Sequence, residues 1–469
     1  MNTLDVVILA AGKGTRMKSS LPKALHRLAG RPMLGYVLEA AAAVGARRCV
    51  LVIGHGATEI EAYAQDWAKN HTRLELRAAR QQPQLGTGHA VQQAAPLLPD
   101  DGIALILNGD VPLVQPETLA RLIALCEGSH LALLTVDEGQ DAGAYGRIVR
   151  AGGAQAPVRA IVEARDATPD QLALTEWYSG IMAAPTRLLK KYLAQLTDDN
   201  AQREFYLTDV VRHAVLDGAQ VRALRIGDAA QVAGVNSPAQ LAELERAVQR
   251  RHALRLMESG VRLADPARFD LRGHLHCGQD VEIDVGCIFE GNVLLSDGVR
   301  IGAHCVIAHA RIEAGAVIHP FTHIDGGAQG VVVGPGALIG PYARLRPGAR
   351  LGAQVHIGNF VEVKNSTLAA GAKANHLAYL GDATVGERVN YGAGSITANY
   401  DGAHKHRTVI EDDVHVGSNC VLVAPLTVGA GGTVAAGSTL TQSTPPGALG
   451  VARTRQKNLP GWRRPDKQG

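Results

Sequence analysis

Val333, Ile339, Leu345, Leu351, Ile357 and Val363 fall six residues apart. The same interval returns at Ile410, Val416, Leu422, Val428, Val434 and Leu440. In a chain that is 46% hydrophobic, one such run of six arises by chance in roughly one placement in a hundred, and two runs far less often. A six-residue interval fits neither a helix nor a flat strand. It predicts a parallel β-helix, in which each short strand stacks on the coil below. The 53 glycines and only 4% aromatic residues suit such a repeat, built from tight turns and stacked aliphatic side chains.

At 469 residues the chain is too long for one core, so two or three domains are expected. A net charge of +3 gives no reason to expect nucleic acid as the main partner. The six cysteines lack C-x-x-C spacing, which fits reduced, mostly buried thiols in a cytoplasmic protein. The apolar stretch Val6-Val7-Ile8-Leu9-Ala10-Ala11 has no basic region before it and reads as a buried strand rather than a signal peptide. No apolar run is long enough to span a membrane.

Residues 1–236 alternate strand and helix patterns. Strands are predicted at Asp5–Ala10, Cys49–Ile53, Ile103–Asn108 and Leu131–Val136, and helices at Leu34–Val44 and Pro116–Cys126. That order argues for an α/β domain with a mostly parallel sheet covered on both faces, whose ligands bind at the carboxyl ends of strands. Ser237-Pro238 opens a connecting helix over 237–260, with Ser as N-cap and Pro at the first helical position. Residues 261–469 form the period-six domain. Its early register slips by one between Ile301-Ile307 and Ile312-Ile318-Ile324, which suggests a small insertion. The register lapses again between Ser366 and Thr384 and between Ala398 and Thr408. The second lapse is polar and should leave the coil as a loop. Arg453, Arg455, Lys457, Arg463 and Arg464 make a basic tail.

The first strand runs into Leu9-Ala10-Ala11-Gly12-Lys13-Gly14-Thr15-Arg16. Small residues there let backbone N–H groups approach and cradle phosphate oxygens. The loop is neither a Walker A sequence nor G-x-G-x-x-G, and alone it could be a structural turn. Three features add to it. Leu21-Pro22-Lys23 places a lysine on a fixed backbone, Gly86-Thr87-Gly88 gives a second small-residue turn, and Asn108-Gly109-Asp110 ends a strand on a carboxylate able to hold a metal bridging phosphates. Together these resemble the nucleoside-diphosphate-sugar pyrophosphorylases.

In the second half, the residue after each apolar rung is usually small, as at Gly334, Gly340, Gly352 and Gly358, but Arg346 and Lys364 intrude. Each alone could be a solvated turn. As a pair they should stack close together, which favours an anion site. His376 lies in the first register lapse. A lone histidine is more often structural, yet its ordinary pKa near 6.5 also suits a proton acceptor near neutrality.

Over essentially its whole length, tail included, the chain resembles the bacterial bifunctional N-acetylglucosamine-1-phosphate uridylyltransferase / glucosamine-1-phosphate N-acetyltransferase family. The resemblance implies a Rossmann-like nucleotidyltransferase domain, a connecting helix and a left-handed parallel β-helix of hexapeptide repeats. It implies that Leu9, Ala10, Ala11 and Gly12 contact the nucleotide, that Arg16 and Lys23 hold the triphosphate during catalysis, and that Gln81, Gly86 and Thr87 read the uracil. Asn108, Gly109 and Asp110 belong to the same UTP and UDP-sugar site, Asp110 and Asn236 carry Mg²⁺, and Gly146 and Glu163 bind the sugar. This chain departs from the pattern at Asn108, where some members carry Tyr, and at Tyr178, where Asn is often found; the second puts one sugar contact in question.

By the same resemblance His376 is the general base of acetyl transfer. Arg346 and Lys364 take the sugar phosphate, with Tyr379 and Asn390 as further sugar contacts. Ala393, Asn399, Tyr400, Ser418, Ala436 and Arg453 contact acetyl-CoA. The implied partners are small molecules (glucosamine 1-phosphate, N-acetylglucosamine 1-phosphate, UTP and acetyl-CoA) and further copies of the chain in a homotrimer with acetyl-transfer sites between subunits. His274, His276 and Cys277, or His404 and His406, offer no complete tetrahedral zinc set. Two other readings share these folds: a single-function pyrophosphorylase with a regulatory β-helix, and a non-catalytic exchange-factor subunit. Both predict no base at His376, and the second also predicts a degraded Leu9–Arg16 loop.

Overall fold

The computed structural model describes residues 3–140, 142–153 and 155–464. Backbone contacts divide the chain into two units, Met1–Val248 and Gln249–Gly469. The division falls inside one helix, Pro238–Glu258, which is the connecting helix expected from Ser237-Pro238. The Ser237 hydroxyl accepts a hydrogen bond from the Gln240 N–H at 3.3 Å, capping its first turn.

In the first unit, strands Glu75–Arg80, Arg48–Ile53, Leu4–Ala10 and Ile103–Asn108 lie side by side in parallel. Trp177–Pro185 then runs antiparallel between Ile103–Asn108 and Leu131–Val136, and Val221–Ile226 closes the far edge. Val6, Val7 and Ile8 are all fully buried, because the sheet is covered on both sides and alternation has no wet face to show. Val6 and Ile8 pack with Leu34 and Leu38 of helix Met33–Ala43 and with Leu119 and Leu122 of helix Pro116–Cys126. Val7 points the other way, toward Val91 of helix Thr87–Ala94 and Val210 of helix Asp209–Leu216. The predicted strands and helices stand within a residue of their expected bounds. Glu75–Arg80 was not foreseen, since an exposed edge strand of sequence ELRAAR carries no apolar pattern. The result that matters for function is register: Leu9 pairs with Asn108, so the Gly-rich loop and the Asn108–Asp110 turn leave the sheet at the same edge.

Among the described residues of the second unit the coil strands pair in parallel and stack into coils, the one antiparallel bridge, Tyr400 with Lys405, lying in the extruded loop. All twelve residues of the two period-six runs are at most 5% exposed and belong to one continuous core. Arg344 pairs with Glu362, and Glu362 with Tyr379, so successive coils are eighteen and then seventeen residues long. That difference corrects two expectations. The slip at Ile307–Ile312 is not an insertion. The strand Val306–Ile312 is continuous, and His309, at φ 49°, turns the corner alone. The inserted residues come one coil later, where 326–330 stand opposite His309. The lapse between Ser366 and Thr384 is likewise no interruption: Leu368, Ala374, Leu380 and Val385 continue the buried rungs with two five-residue sides. The segment from Ala398 to Thr408 does leave the coil. Thr384 pairs with Val409, twenty-five residues on.

One corner of the coil is marked by backbone conformation. His304, Phe321, Tyr342, Phe360 and Leu377 all adopt φ between 49° and 60°. Side chains in the left-handed region splay outward from the turn, and here four of them stack: the ring centroids of His304, Phe321, Tyr342 and Phe360 are 5.3, 5.1 and 5.4 Å apart in succession. Phe321, Tyr342, Phe360 and Leu377 are 48, 48, 56 and 61% exposed.

All six cysteines are free thiols, five of them buried, as their spacing suggested. Burial pushes the Cys49 and Cys305 thiols up to about 12. Among the described residues no helix is long and apolar enough to cross a membrane.

Candidate active sites

In the first unit two glycines shape the ground under Lys23. A Cβ on Gly14, at φ 59°, would stand 2.9 Å from Lys23 Cβ, and one on Gly56, at φ 65°, would stand 2.2 Å from Pro22 Cγ. The Gly-rich loop and the turn after Arg48–Ile53 therefore clamp Pro22-Lys23 between them. The lysine is delivered to the strand ends. Lys23 Nζ donates to the Asp110 carboxylate in a short ion pair and to Asn236 Oδ1 at 3.0 Å. Asp110 is itself pinned: the Gly109 N–H donates to Leu9 O at 2.9 Å, and Asp110 O accepts from the Val235 N–H at 3.1 Å. A carboxylate and an amide oxygen, 126 residues apart by number, thus face one cation. That donor set fits Mg²⁺, which takes one or two protein oxygens and completes its shell with water and phosphate oxygens.

Lys23 and Asp110 border a cavity of about 470 Å³ lined also by Leu9 to Lys13, Gln81, Gly86, Thr87, Asn108 and Gly109. Its far wall depends on glycine again. Gly86 sits at φ 104°, and a Cβ there would come within 2.7 Å of Phe205 O. Gln81 Nε2 donates to Gly86 O at 2.8 Å, and the Thr87 hydroxyl accepts from the Leu207 N–H at 3.2 Å. Gln84 and Glu204 also line the cavity. Sequence reasoning missed both, although Gln84 lies within the segment Gln81–Gly86. Its Nε2 donates to Ala11 O at 2.7 Å and so fixes the Gly-rich loop.

Five expected residues stand outside that lining. Asn236 joins through Lys23. Arg16 is exposed on the turn Thr15–Met17. Gly146, Glu163 and Tyr178 form a cluster of their own. The Tyr178 N–H donates to Gly146 O at 2.8 Å. A Cβ on Gly146 would lie 3.6 Å from Glu163 Oε2, and Glu163 Oε1 accepts from the Thr208 hydroxyl at 2.9 Å. Burial raises the Glu163 carboxyl above its ordinary value. Tyr178 is 6% exposed, and its hydroxyl is buried without a hydrogen-bond partner. Asn108 Nδ2 donates to Gly180 O at 3.3 Å.

In the second unit the register does the assembling. Leu345 pairs with Val363, so Arg346 and Lys364 follow in neighbouring coils. Lys364 pairs with Gly381 in the coil after. A Cβ on Gly381 would sit 2.3 Å from the Tyr379 hydroxyl, so the glycine leaves room for that hydroxyl beside the cations. The Lys364 ammonium is pushed below its ordinary value by the Lys405 ammonium beside it, then by partial burial and by Arg346. Lys405 comes from the extruded loop and was not anticipated. Three cations crowd here, with Arg346 bonded to Glu362 at 2.7 Å. An anionic ligand would relieve their repulsion.

His376 stands at the marked corner. The hydrogen-bond ladder there runs from the Leu377 N–H to Asn359 O, from Gly394 to His376, from Asn419 to Ala393, and from Gly437 to Ser418. Asn359, His376, Ala393 and Ser418 therefore occupy one equivalent position in successive coils, and Ala436, just before Gly437, continues it. The structure aligns the expected base with three expected acetyl-CoA residues in a single column. Arg453 reaches the same column, donating from Nη1 to Ala436 O at 2.8 Å. Asn399 donates to the Asp382 carboxylate and is 8% exposed, while Tyr400 is exposed at the loop's start. Asn390 is not brought to His376. It pairs with Lys373, three residues before His376 along the strand and one coil on, roughly 10 Å away along the strand direction. Among the described residues no group of three or more His, Cys, Asp or Glu side chains could hold a metal. His406 instead pairs with Asp401 at 2.6 Å.

A MobA-like NTP transferase domain model matches residues 6–213, and a bacterial transferase hexapeptide model of six repeats matches residues 330–365. The "Bifunctional protein GlmU" of Albidiferax ferrireducens is 66% identical over 468 residues, covering 99% of this chain and 100% of its own. That of Polaromonas naphthalenivorans is 68% identical, covering 100% of this chain and 99% of its own. That of Paracidovorax citrulli is 66% identical, with the same coverage. The crystal structure of UDP-glucose pyrophosphorylase complexed with UDP-glucose aligns with 53% of this chain and 99% of its own at 18% identity and TM-score 0.45, too distant to bear on the sites. With a nucleotidyltransferase domain and a hexapeptide-repeat acyltransferase domain in one chain, and relatives of this identity along its whole length, the chain belongs to the GlmU family of bifunctional transferases.

Proposed function

We propose that this protein makes UDP-N-acetylglucosamine in two steps, one in each unit. In the second unit the amine of glucosamine 1-phosphate attacks the thioester carbonyl of acetyl-CoA. A nitrogen–carbon bond forms, the carbon–sulfur bond breaks, the amine proton passes to His376, and CoA leaves as thiolate. Arg346 and Lys364, crowded by Lys405, hold the sugar phosphate, and the Tyr379 hydroxyl over Gly381 orients the sugar. The small residues Ala393, Ser418 and Ala436 keep the column beside His376 clear for the acyl carrier, with Asn399, Tyr400 and Arg453 at its borders.

In the first unit the product, N-acetylglucosamine 1-phosphate, attacks the α-phosphate of UTP through a phosphate oxygen, and pyrophosphate leaves. Such a reaction is mainly positioning and charge neutralisation. The Leu9–Gly12 backbone and Gln81, Gly86 and Thr87 hold the nucleotide. Lys23 and Arg16 face the negative charge that grows on the leaving pyrophosphate. Gly146, Glu163 and Tyr178 border the sugar, next to the Asn108–Asp110 turn. Mg²⁺ held by Asp110 and Asn236 supplies further neutralisation of the phosphates when bound. The product is a cytoplasmic precursor for peptidoglycan and lipopolysaccharide.

The observation that carries the bifunctional reading is His376 at a corner of the coil with the Arg346–Lys364 pair just past that corner in the same scaffold, for which a single-function pyrophosphorylase has no use. Incubation with glucosamine 1-phosphate, acetyl-CoA, UTP and Mg²⁺ should yield UDP-N-acetylglucosamine, CoA and pyrophosphate. His376→Ala should stop thiol release while sparing pyrophosphate release from N-acetylglucosamine 1-phosphate. Asp110→Ala should do the reverse. Equal loss of both activities in either variant would sink the two-site assignment.

A further inference from the structure

The corner that carries His376 also determines which of its ring nitrogens bears a proton. His376 Nδ1 lies 2.9 Å from Asn359 Oδ1. The two residues are paired in neighbouring strands, and the Leu377 N–H donates to Asn359 O at 3.0 Å. Each stands just before a left-handed corner residue, Phe360 at φ 57° and Leu377 at φ 49°, so the backbone presents both side chains from equivalent positions. The coils approach closely enough because residue 358 is glycine: a Cβ there would stand 1.9 Å from Asn375 O.

An amide oxygen can only accept, so in the neutral ring the Nδ1 facing it must carry the hydrogen. The lone pair is then on Nε2, for which no hydrogen bond is formed among the described residues. We propose that Asn359 is a positioning residue for acetyl transfer, holding His376 in the Nδ1–H tautomer and in one ring orientation so that Nε2 receives the amine proton. This rests on the reading of His376 as the base. Without the bond the ring is free to rotate and to take the Nε2–H tautomer, in which that nitrogen cannot accept a proton.

The test uses the full chain with ¹⁵N-labelled histidine, with the His376 signals identified by their loss in His376→Ala. In the wild-type protein, at a pH where the ring is neutral, Nδ1 should give the protonated-nitrogen shift and Nε2 the unprotonated one. Asn359→Ala should lower kcat for acetyl transfer by about tenfold or more, leave KM for both substrates within about twofold, and move the His376 nitrogen shifts toward the mixed-tautomer average. Asn359→Asp, which still accepts from Nδ1–H, should restore most of kcat and the wild-type shifts. Uridylyl transfer should be unaffected in both and reports that the chain is folded. Wild-type kcat in Asn359→Ala, lost kcat with unchanged nitrogen shifts, or failure of Asn359→Asp to restore the rate would each overturn the proposal. If Asn359→Ala does not fold, the wild-type spectrum decides, because an Nε2–H ring contradicts the proposal by itself. Acetyl transfer surviving His376→Ala would instead remove the base assignment beneath it.

Discussion

Tyr178 fills hydrophobic volume on one face of the sheet, yet its hydroxyl has no partner there. Burial and the nearby Glu163 carboxylate raise its pKa far above the ordinary phenol range, so it is a neutral phenol whose hydrogen is unused in the free protein. An unmade buried hydrogen bond costs about 1–3 kcal/mol. Tyr178→Phe should therefore leave thermal stability unchanged or raised, while Tyr178→Asn should cost about 2–4 kcal/mol by emptying the aromatic volume. Chemical denaturation of the two variants checks the order; a Tyr178→Phe protein markedly weaker than wild type would mean the hydroxyl has a partner after all. At this scale the sequence was informative about types and poor about neighbours. Lys23, Asp110 and Asn236 could each be picked from a motif, but their meeting at one point depends on the pairing of Leu9 with Asn108 and on the approach of Val235 to Asp110. Asn359 could not be picked at all. Its nearness to His376 follows from a seventeen-residue coil, and only the paired strands reveal that length.

A coil side shortened from six residues to five shifts every later rung by the same phase as a side lengthened by five. Periodicity alone cannot separate the two, and that is why the slip at Ile307–Ile312 read as an insertion and the stretch from Ser366 to Thr384 as a lapse. The rungs themselves were legible because the coil interior admits only aliphatic side chains of similar size, and all twelve were found buried. The small residues after the rungs have an equally direct cause. At Gly358, Gly352 and Gly334 an added Cβ would meet backbone of the next coil at 1.9, 3.0 and 2.5 Å. The closest of these lies directly against the coil that carries His376. Gly358→Ala should force the coils at Asn359 and His376 apart and lower acetyl transfer by more than about tenfold, as displacement of a catalytic group by an ångström does. Pyrophosphate release, which belongs to the other unit, should stay within about twofold of wild type. Parallel assays of the two half-reactions measure this, and unimpaired acetyl transfer would show that the coil spacing tolerates a methyl group.

Not all the sugar contacts proposed for acetyl transfer converge within one chain. Tyr379, Arg346 and Lys364 lie past the corner from His376, whereas Asn390 lies back along its strand on another face. The same corner carries the exposed stack of Phe321, Tyr342 and Phe360, which runs up to Leu377, the residue after His376. Exposed apolar surface of this continuity marks a contact site. A second copy of the chain is the occupant that explains both facts: it would cover the stack and could bring its own Asn390 to a site this chain leaves incomplete. Hexapeptide-repeat domains suit such assembly. Phe360→Asp, placing a charge in the middle of the stack, should shift the light-scattering mass toward that of a single chain. It should cut acetyl transfer by at least about tenfold, while uridylyl transfer by the first unit persists. A variant with wild-type mass and full activity would place the contact between copies on another face. One that becomes monomeric yet keeps acetyl transfer would show that a single chain holds the whole site.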